Sequence, residues 1–123
     1  MWEVITSVVF DAWFEQQPAT VQQDFLSYML LLEHKGPQLG RPYADTIKAS
    51  KHPNMKELRV QSMGEPFRAF FAFDPVRQAI VLCAGNKRGK NEKQFYEEMI
   101  KQADRVYGEH LAQLNKEVET WPR

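Results

Sequence analysis

Residues 57–84, ELRVQSMGEPFRAFFAFDPVRQAIVLCA, contain three apolar runs separated by two turn signals. We predict strands over residues 57–62, 67–74 and 78–84, because each run has the length and the apolar content of a short strand. The segment DPVR at 74–77 suits a type I turn, with Asp at its first position and Pro at its second. The stretch therefore predicts two consecutive hairpins.

The alternation of apolar residues predicts the register of these hairpins, because a slip of one residue would reverse the faces of a strand. If residues 74–77 form the turn, Phe73 faces Gln78 in the second hairpin. One face of the sheet, the predicted core, then carries Phe67, Ala69, Phe71, Phe73, Ile80, Leu82 and Ala84.

The first hairpin places two arginines opposite each other on the face away from that core. Pairing Ser62 with Glu65 keeps the apolar residues of the first strand on the core face and sets Arg59 opposite Arg68. Like charges in this position are destabilising, so an anion between or above them is one explanation. The alternative is that both arginines bond to acids such as Glu57, Glu65 or helix residues.

A cluster of cations follows the third strand directly, at Lys87, Arg88 and Lys90, with no carboxylate before Glu92. If the strand keeps its alternation past Ala84, Lys87 points to the same face as the two arginines. We therefore predict an arginine- and lysine-lined face that a polyanion would occupy.

The N-terminal third of the chain predicts one strand and two helices. Residues 2–6 alternate as a short strand, and Thr6 or Ser7 caps the helix that follows. Pro18 suits the first turn of the second helix, which Gly36 and the proline after it end. The apolar stripe of this second helix consists of Val21, Phe25, Met29 and Leu32.

The two remaining segments are a long loop and a long helix. Residues 36–56 have no sustained period and are predicted as a loop, with a helical turn at residues 45–49. A helix is predicted from about Asn91 to the C-terminus. Its apolar side carries Phe95, Met99, Ala103, Val106, His110, Leu114 and Val118.

The composition is that of an ordinary globular protein, with 43% hydrophobic and 26% charged residues, and residues 1–123 are predicted as a single domain. No apolar run reaches the roughly 18–20 residues that a membrane span needs. The acidic N-terminus lacks the basic start of a signal peptide, and Cys83 is the single cysteine. These features predict a cytoplasmic protein without a membrane partner.

The formal net charge of +0 conceals an uneven distribution along the chain. Residues 1–40 carry −4, residues 41–93 carry +6 and residues 94–123 carry −2. A basic middle between acidic ends can offer an anion a local patch without a basic isoelectric point. The alternative is a solvated surface whose charge is merely uneven.

No pattern of metal ligands is present, because His34, His52 and His110 are widely separated and have no partner at ligand spacing. We expect neither a metal nor a cofactor. His110 is predicted as a partly buried structural residue and Cys83 as a packing residue. His52 lies in a basic loop and is the candidate for acid–base work.

Clustered Arg and Lys side chains suit the cleavage of RNA. In that reaction the 2′-hydroxyl attacks the adjacent phosphorus, and negative charge grows on the nonbridging oxygens. Fixed guanidinium groups stabilise this charge. A lysine can act as base or acid there, since neighbouring cations disfavour its charged form.

Several motifs resemble the RelE/ParE superfamily of toxins, in its HigB-like, phage Gp49-like branch. They occur in order across residues 2–114, as WEV-I, FDAWF, GPQLGRP, KASKHPNMKELR, R-FFAFDP-R-AIVL and AGNKRG, followed by FY and AD–Y–HL. The resemblance implies an α+β fold with a small, twisted, mostly antiparallel sheet packed against two N-terminal helices. The C-terminal helix is longer than that of the shortest superfamily members, and it is expected either to block or reshape the site or to bind an antitoxin.

The resemblance also implies the toxin of a type II toxin–antitoxin system, a ribosome-dependent mRNA endonuclease that works without a metal. The expected partners are the ribosome with its mRNA, and an antitoxin of the helix-turn-helix type. Two other functions stay open at this point. One is a non-enzymatic, ParE-like inhibitor of DNA gyrase, and the other is a nucleic-acid-binding protein without catalysis.

The resemblance and the basic segments together indicate the site residues. The expected catalytic residues are Arg59, Arg68, Lys87 and Arg88. The expected RNA-binding residues are Lys51, His52, Lys56, Lys90 and Tyr96.

Overall fold

The computed structural model describes residues 1–120, which form a five-stranded sheet with helices on both faces. The elements in chain order are β1 (Glu3–Thr6), α1 (Val8–Glu15), α2 (Ala19–Lys35), a 3₁₀ turn (Gly36–Gln38), β2 (Ala44–Thr46), β3 (Met55–Ser62), β4 (Glu65–Phe73), β5 (Gln78–Asn86) and α3 (Glu92–Glu119). The strand order is β1-β5-β4-β3-β2, and only the β1–β5 pair is parallel. The predicted α+β class with a mostly antiparallel sheet is confirmed.

The two N-terminal helices cover one face of the sheet, as predicted. Ser7 caps α1, because its side chain accepts a hydrogen bond of 3.0 Å from the backbone N–H of Phe10. Gly36 ends α2 with φ at 55°, and a Cβ there would lie 2.4 Å from the ring of Trp2. The core on this face includes Phe10, Val21, Phe25, Leu32, Leu58, Val60, Phe67, Ala69, Phe71, Val81 and Ala84.

Helix α3 covers the opposite face. Asn91 caps it, because its side chain accepts a hydrogen bond of 3.0 Å from the N–H of Gln94. The second core includes Met55, Phe70, Ala72, Ile80, Leu82, Cys83, Phe95, Ala103, Val106 and Tyr107. Helix α3 ends at Glu119, and the predicted continuation of this helix over residues 121–123 lies outside the described residues.

The predicted register of the first hairpin is confirmed, and Arg59 lies opposite Arg68. The predicted register of the second hairpin is wrong by one residue, because Phe73 pairs with Ala79. The backbone N–H of Asp74 donates a hydrogen bond of 2.8 Å to the carbonyl oxygen of Gln78, which leaves a three-residue loop whose last residue is in the left-handed region.

The shifted register changes which residues of β5 face each core. Ile80 and Leu82 point towards α3 instead of towards α1 and α2. A β-bulge then restores the predicted face at the end of the strand: Phe71 pairs with Val81, Phe70 pairs with Cys83, and the residue between has no partner. Ala84 therefore returns to the core under α1 and α2.

The predicted helical turn at residues 45–49 is wrong, since the short strand β2 occupies Ala44–Thr46. Strand β2 pairs with β3 through Ala44 opposite Leu58 and gives the edge of β3 a hydrogen-bonding partner. A strand of three residues is too short for alternation to reveal it in the sequence.

Among residues 1–120, no helix combines the length and the apolar character needed to cross a membrane.

Candidate functional site

A cleft of about 480 Å³ opens where β3 and β4 lie beside the residues that follow β5. Its walls bring four cationic side chains together from separate parts of the chain. Its lining residues are Arg41, Pro42, Arg59, Gln61, Pro66, Arg68 and Lys87. We call this the basic cleft.

The two arginines share one carboxylate, Glu57. The distance from Nη1 of Arg59 to Oε2 of Glu57 is 3.1 Å, and the distance from Nε of Arg68 to Oε1 is 3.6 Å. Glu57 and Arg59 share a face of β3 because they lie two residues apart on a strand. The arginine pair therefore has an acidic partner, as the alternative to a bound anion predicted: Arg59 hydrogen-bonds to Glu57, and Arg68 lies within ion-pair distance of it.

Arg68 is buried, with 5% of its surface exposed, and so is Glu57. Its Nη1 donates a hydrogen bond of 3.0 Å to the carbonyl oxygen of Phe67. Its Nε has no hydrogen-bond partner within residues 1–120, although the carboxylate is close. Burial of this guanidinium costs free energy of desolvation, but its contacts with Phe67 and Glu57 fix its orientation.

Helix α3 contributes Tyr96 to the same cluster. The Tyr96 hydroxyl donates a hydrogen bond of 2.6 Å to Oε1 of Glu57. Burial raises the pKa of Tyr96 to about 12, and the hydrogen bond and negative charge of Glu57 act in the same direction. Tyr96 is therefore a neutral hydrogen-bond donor near neutral pH.

Lys87 lies beside Tyr96, on the face that strand alternation predicts. Its Nζ is 2.7 Å from Oε1 of Glu92 and 5.8 Å from the ring centroid of Tyr96. The hydrogen bond from Lys87 lowers the pKa of Glu92. Because Glu92 is largely exposed, this ion pair is weak and open to exchange with another anion.

Arg88 and Lys90 do not line the basic cleft. The guanidinium of Arg88 bonds to the carboxylate of Glu65 and donates a 2.7 Å hydrogen bond to the carbonyl oxygen of Gly64. Lys90 lies in a different depression, which Trp13 also lines. The three side chains of the predicted cation cluster therefore point to different surroundings, and only Lys87 among them lines the basic cleft.

The predicted residues of the loop before β3 lie elsewhere as well. The backbone N–H of Lys51 bonds to Asp104 of α3 at 3.3 Å, and the ring of His52 lies edge-on to Tyr107 at 4.8 Å. Lys56 points to the opposite face of β3 from Arg59 and bonds through Nζ to a threonine hydroxyl of β2 at 3.2 Å.

Sequence reasoning did not propose Glu57 or Arg41 as site residues. For Glu57 a signal was available, because it lies two residues before Arg59 on a predicted strand and shares its face. Arg41 precedes β2, and a long loop has no period from which its direction follows. Its Nε lies 2.9 Å from Asp45 Oδ2.

Two further residues have the structural roles predicted for them. His110 lies 2.7 Å from Oδ2 of Asp74, which fastens α3 to the turn after β4. Cys83 is 1% exposed, and burial raises the pKa of its thiol to about 12. Within residues 1–120, no three His, Cys, Asp or Glu side chains gather as a metal site requires.

Comparison with known proteins supports the resemblance. Residues 12–108 match the family described as phage-derived protein Gp49-like. HigB2, a candidate toxin of Mycobacterium tuberculosis, is 55% identical over 85 residues, which cover 68% of this chain and 42% of HigB2. HigB3, another candidate toxin of that organism, is 51% identical over 74 residues, covering 60% of this chain and 62% of HigB3. The chain thus spans about half the length of these relatives.

The fold resembles that of a solved toxin. A double mutant of E. coli toxin RelE in the free state superposes with a TM-score of 0.60 at 11% identity, covering 81% of this chain and 95% of RelE. The isolated E. coli RelE toxin gives a TM-score of 0.58 at 13% identity, with 82% and 97% covered. At these identities the likeness concerns the fold alone. The match over residues 12–108 shows that the chain belongs to the phage-derived Gp49-like family.

Proposed function

We propose that this chain is the toxin of a type II toxin–antitoxin pair and cleaves mRNA on the ribosome. Its relatives HigB2 and HigB3 are each named as candidate toxins, and its fold is that of the toxin RelE. The proposed partners are the ribosome with its mRNA, and an antitoxin of the helix-turn-helix type. The proposed place of action is the cytoplasm.

The observation that carries the proposal is the convergence of Arg59, Arg68 and Lys87 on one cleft. In the proposed reaction the 2′-oxygen bonds to phosphorus and the bond from phosphorus to the 5′-oxygen breaks. The 2′-hydroxyl loses its proton and the departing oxygen gains one. Negative charge on the nonbridging oxygens is greatest in the transition state between these two events. Cations that are fixed beforehand stabilise this transition state more than the bound substrate.

Each member of the cluster then has a role. Arg68 is held rigidly by burial and by its bond to the carbonyl of Phe67, so it presents a fixed charge to the phosphate. Glu57 positions both guanidinium groups, and Tyr96 holds Glu57. Lys87 exchanges Glu92 for a phosphate oxygen when RNA enters.

The other expected site residues extend the proposed RNA surface beyond the cleft. Arg88 and Lys90 lie around the end of β5. Lys51 and His52 lie in the loop before β3, and Lys56 lies at the start of β3. Their proposed role is to hold the strand on either side of the scissile phosphate, through contacts with its phosphates.

One observation favours a second candidate, the binding of nucleic acid without cleavage. Glu57 already compensates part of the charge of Arg59 and Arg68 in the free protein. A cleft with this lower charge would still attract a phosphate but would stabilise additional charge less well.

The test is primer extension on an mRNA with purified protein, with and without translating ribosomes. We expect codon-phased cuts only with ribosomes, and loss of these cuts in Lys87→Ala. The matched control is Lys116→Ala, an exposed lysine near the other end of α3, which should cut normally. Intact mRNA in every sample would contradict the proposal and would lead to assays of DNA gyrase supercoiling and of RNA binding.

A further inference from the structure

A second groove, of about 1080 Å³, runs between the loop before β3 and one face of α3. We call it the α3 groove. Lys93, Tyr96, Ile100, Asp104 and other residues at spacings of three and four line it from the helix. Residues at these spacings share one face of a helix, so the groove follows the helix axis.

The loop side of the groove is held in place by Asp104. Its Oδ1 accepts a hydrogen bond of 2.5 Å from the hydroxyl of Ser50, and its Oδ2 accepts one of 3.3 Å from the backbone N–H of Lys51. Asp104 is itself buried, at 8% exposure. The groove is therefore a preformed feature, in which loop and helix are joined by a buried carboxylate.

The floor of the groove is apolar. Ile100 and Tyr96 pack against the core under α3 and also face the groove, and Ala49 lies on the loop side. Tyr96 gives this floor an aromatic side chain, and aromatic side chains stack nucleobases whatever their sequence.

The rim of the groove carries cations without ion-pair partners. Within residues 1–120, no carboxylate lies within 4.0 Å of the Nζ atoms of Lys51, Lys93 or Lys101. Glu97 and Glu98 also line the groove, so its charge is mixed. The three lysines nevertheless border an apolar floor, and a positively charged groove with a stacking surface binds single-stranded nucleic acid.

Tyr96 connects the α3 groove to the basic cleft. Its side chain borders the groove, and its hydroxyl bonds to Glu57, which holds the arginines of the cleft. A strand with one phosphate in the cleft would therefore reach the groove by continuing past Tyr96.

We propose that the α3 groove is a subsite for single-stranded RNA, occupied by nucleotides that flank the phosphate bound in the basic cleft. The bases rest on the floor formed by Tyr96, Ile100 and Ala49, and Lys93 and Lys101 contact the phosphates. The inference rests on the proposed function, because it takes the occupant of the cleft to be RNA. Charge and continuity with the cleft favour RNA over a protein helix as the occupant.

The experiment measures fluorescence anisotropy with 2′-O-methyl oligoribonucleotides, which bind without being cleaved. A dinucleotide fills only the basic cleft, and a hexanucleotide also reaches the α3 groove. The test variant is Lys93→Gln with Lys101→Gln. The matched control is Lys35→Gln with Lys116→Gln, two exposed lysines outside both sites.

For the test variant we expect the hexanucleotide to bind about 25-fold more weakly at roughly 0.1 M salt, since each lost contact removes about 0.7 from the salt slope. The slope itself should fall by about 1.4. Dinucleotide binding and the control variant should be unchanged. Ile100→Ala should weaken hexanucleotide binding without changing the slope, because it removes a base contact only.

Equal hexanucleotide affinity in wild type and test variant would overturn the inference and leave the groove to a protein partner. So would a wild type that binds both oligonucleotides equally well, or neither. The proposed function is judged separately, by cleavage on ribosomes. Cleavage by the wild type, together with unchanged hexanucleotide binding in the test variant, would contradict the groove subsite alone. Length-dependent binding without cleavage would contradict the proposed nuclease activity alone.

Discussion

The Tyr96 hydroxyl lies 2.6 Å from Oε1 of Glu57, and this hydrogen bond joins α3 to β3, the strand that also carries Arg59 of the basic cleft. Because Glu57 also contacts Arg59 and Arg68, the helix and the cationic groups share a single carboxylate. The long C-terminal helix thus contacts the carboxylate that holds the arginines of the candidate site, and its effect on that site stays a prediction.

Tyr96→Phe should alter the stability of the protein at alkaline pH. Burial and Glu57 raise the pKa of Tyr96 to about 12 from its ordinary value of 10.0. The stability that protonated Tyr96 contributes is therefore complete below the unfolded-state pKa and is lost as pH rises through the folded-state pKa. Between these two values the free energy of unfolding should fall less steeply in Tyr96→Phe than in wild type.

The measurement is urea denaturation followed by circular dichroism across this alkaline range. Some alkaline loss should persist in Tyr96→Phe, because burial also raises the pKa of Tyr107. Tyr43→Phe, at a tyrosine that is 44% exposed, is the matched control. Identical slopes in wild type and Tyr96→Phe would contradict the assignment.

Glu57→Ala should destabilise the protein strongly. It leaves the buried Arg68 without its carboxylate, and the removal of one partner from a buried ion pair costs about 3 kcal/mol. Glu65→Ala is the control, since it removes the partner of the largely exposed Arg88 and should cost about 1 kcal/mol or less. Urea unfolding near neutral pH compares the two, and equal losses would show that Glu57 does not support the arginines.

Lys87→Ala and Arg88→Ala should differ in their effects on mRNA cleavage. Lys87 lines the basic cleft, whereas the guanidinium of Arg88 bonds to Glu65 and to the carbonyl of Gly64. Loss of one group that stabilises the transition state costs about 100-fold in rate. We expect a loss of this size for Lys87→Ala and less than about tenfold for Arg88→Ala, whose contacts to RNA would be peripheral.

Single-turnover cleavage on ribosomes measures both rates, and circular dichroism shows whether each variant is folded. A larger loss in Arg88→Ala than in Lys87→Ala would place the scissile phosphate outside the basic cleft.

Asp74→Asn should remove a contribution to stability that the wild type has near neutral pH and loses in acid. Burial alone would raise the pKa of Asp74, but hydrogen bonds from His110, Gln78 and Val76 outweigh burial and lower it below 3.8. The stability that ionised Asp74 contributes is therefore present above the unfolded-state pKa and lost as pH falls through the folded-state pKa.

The free energies of unfolding of wild type and Asp74→Asn should differ most near neutral pH and converge in acid. Urea titrations at several pH values provide the comparison, with the exposed Glu15→Gln as a control that changes little. A difference that grows towards low pH would refute the assignment.

The two hairpins show how far alternation alone can lead. The first register followed from the apolar residues of β3 and β4, because a slip would have exposed Val60 and buried Gln61. The second predicted register was wrong because Arg77 adopts a left-handed conformation, with φ at 65°. This conformation shifts the strand pairing next to the turn by one residue. An arginine in the sequence does not predict a left-handed conformation, whereas a glycine or an asparagine would.

The amino-acid order was sufficient for the part of the site that lies within one hairpin. Arg59 and Arg68 are nine positions apart along continuous chain, so strand periodicity and a short turn place them opposite each other without reference to the rest of the protein. Lys87 also lies on the face that alternation predicts, but only because the β-bulge cancels the one-residue shift in the register of the second hairpin.

The positions of Tyr96 and Lys51 could not be predicted from strand periodicity. Their positions depend on where α3 packs across the sheet and on how Asp104 holds the preceding loop against it. Those contacts join residues 39 or more positions apart. Periodicity shows which face of a helix is apolar, but only packing against a particular core determines which polar side chains of that helix meet the carboxylate of Glu57.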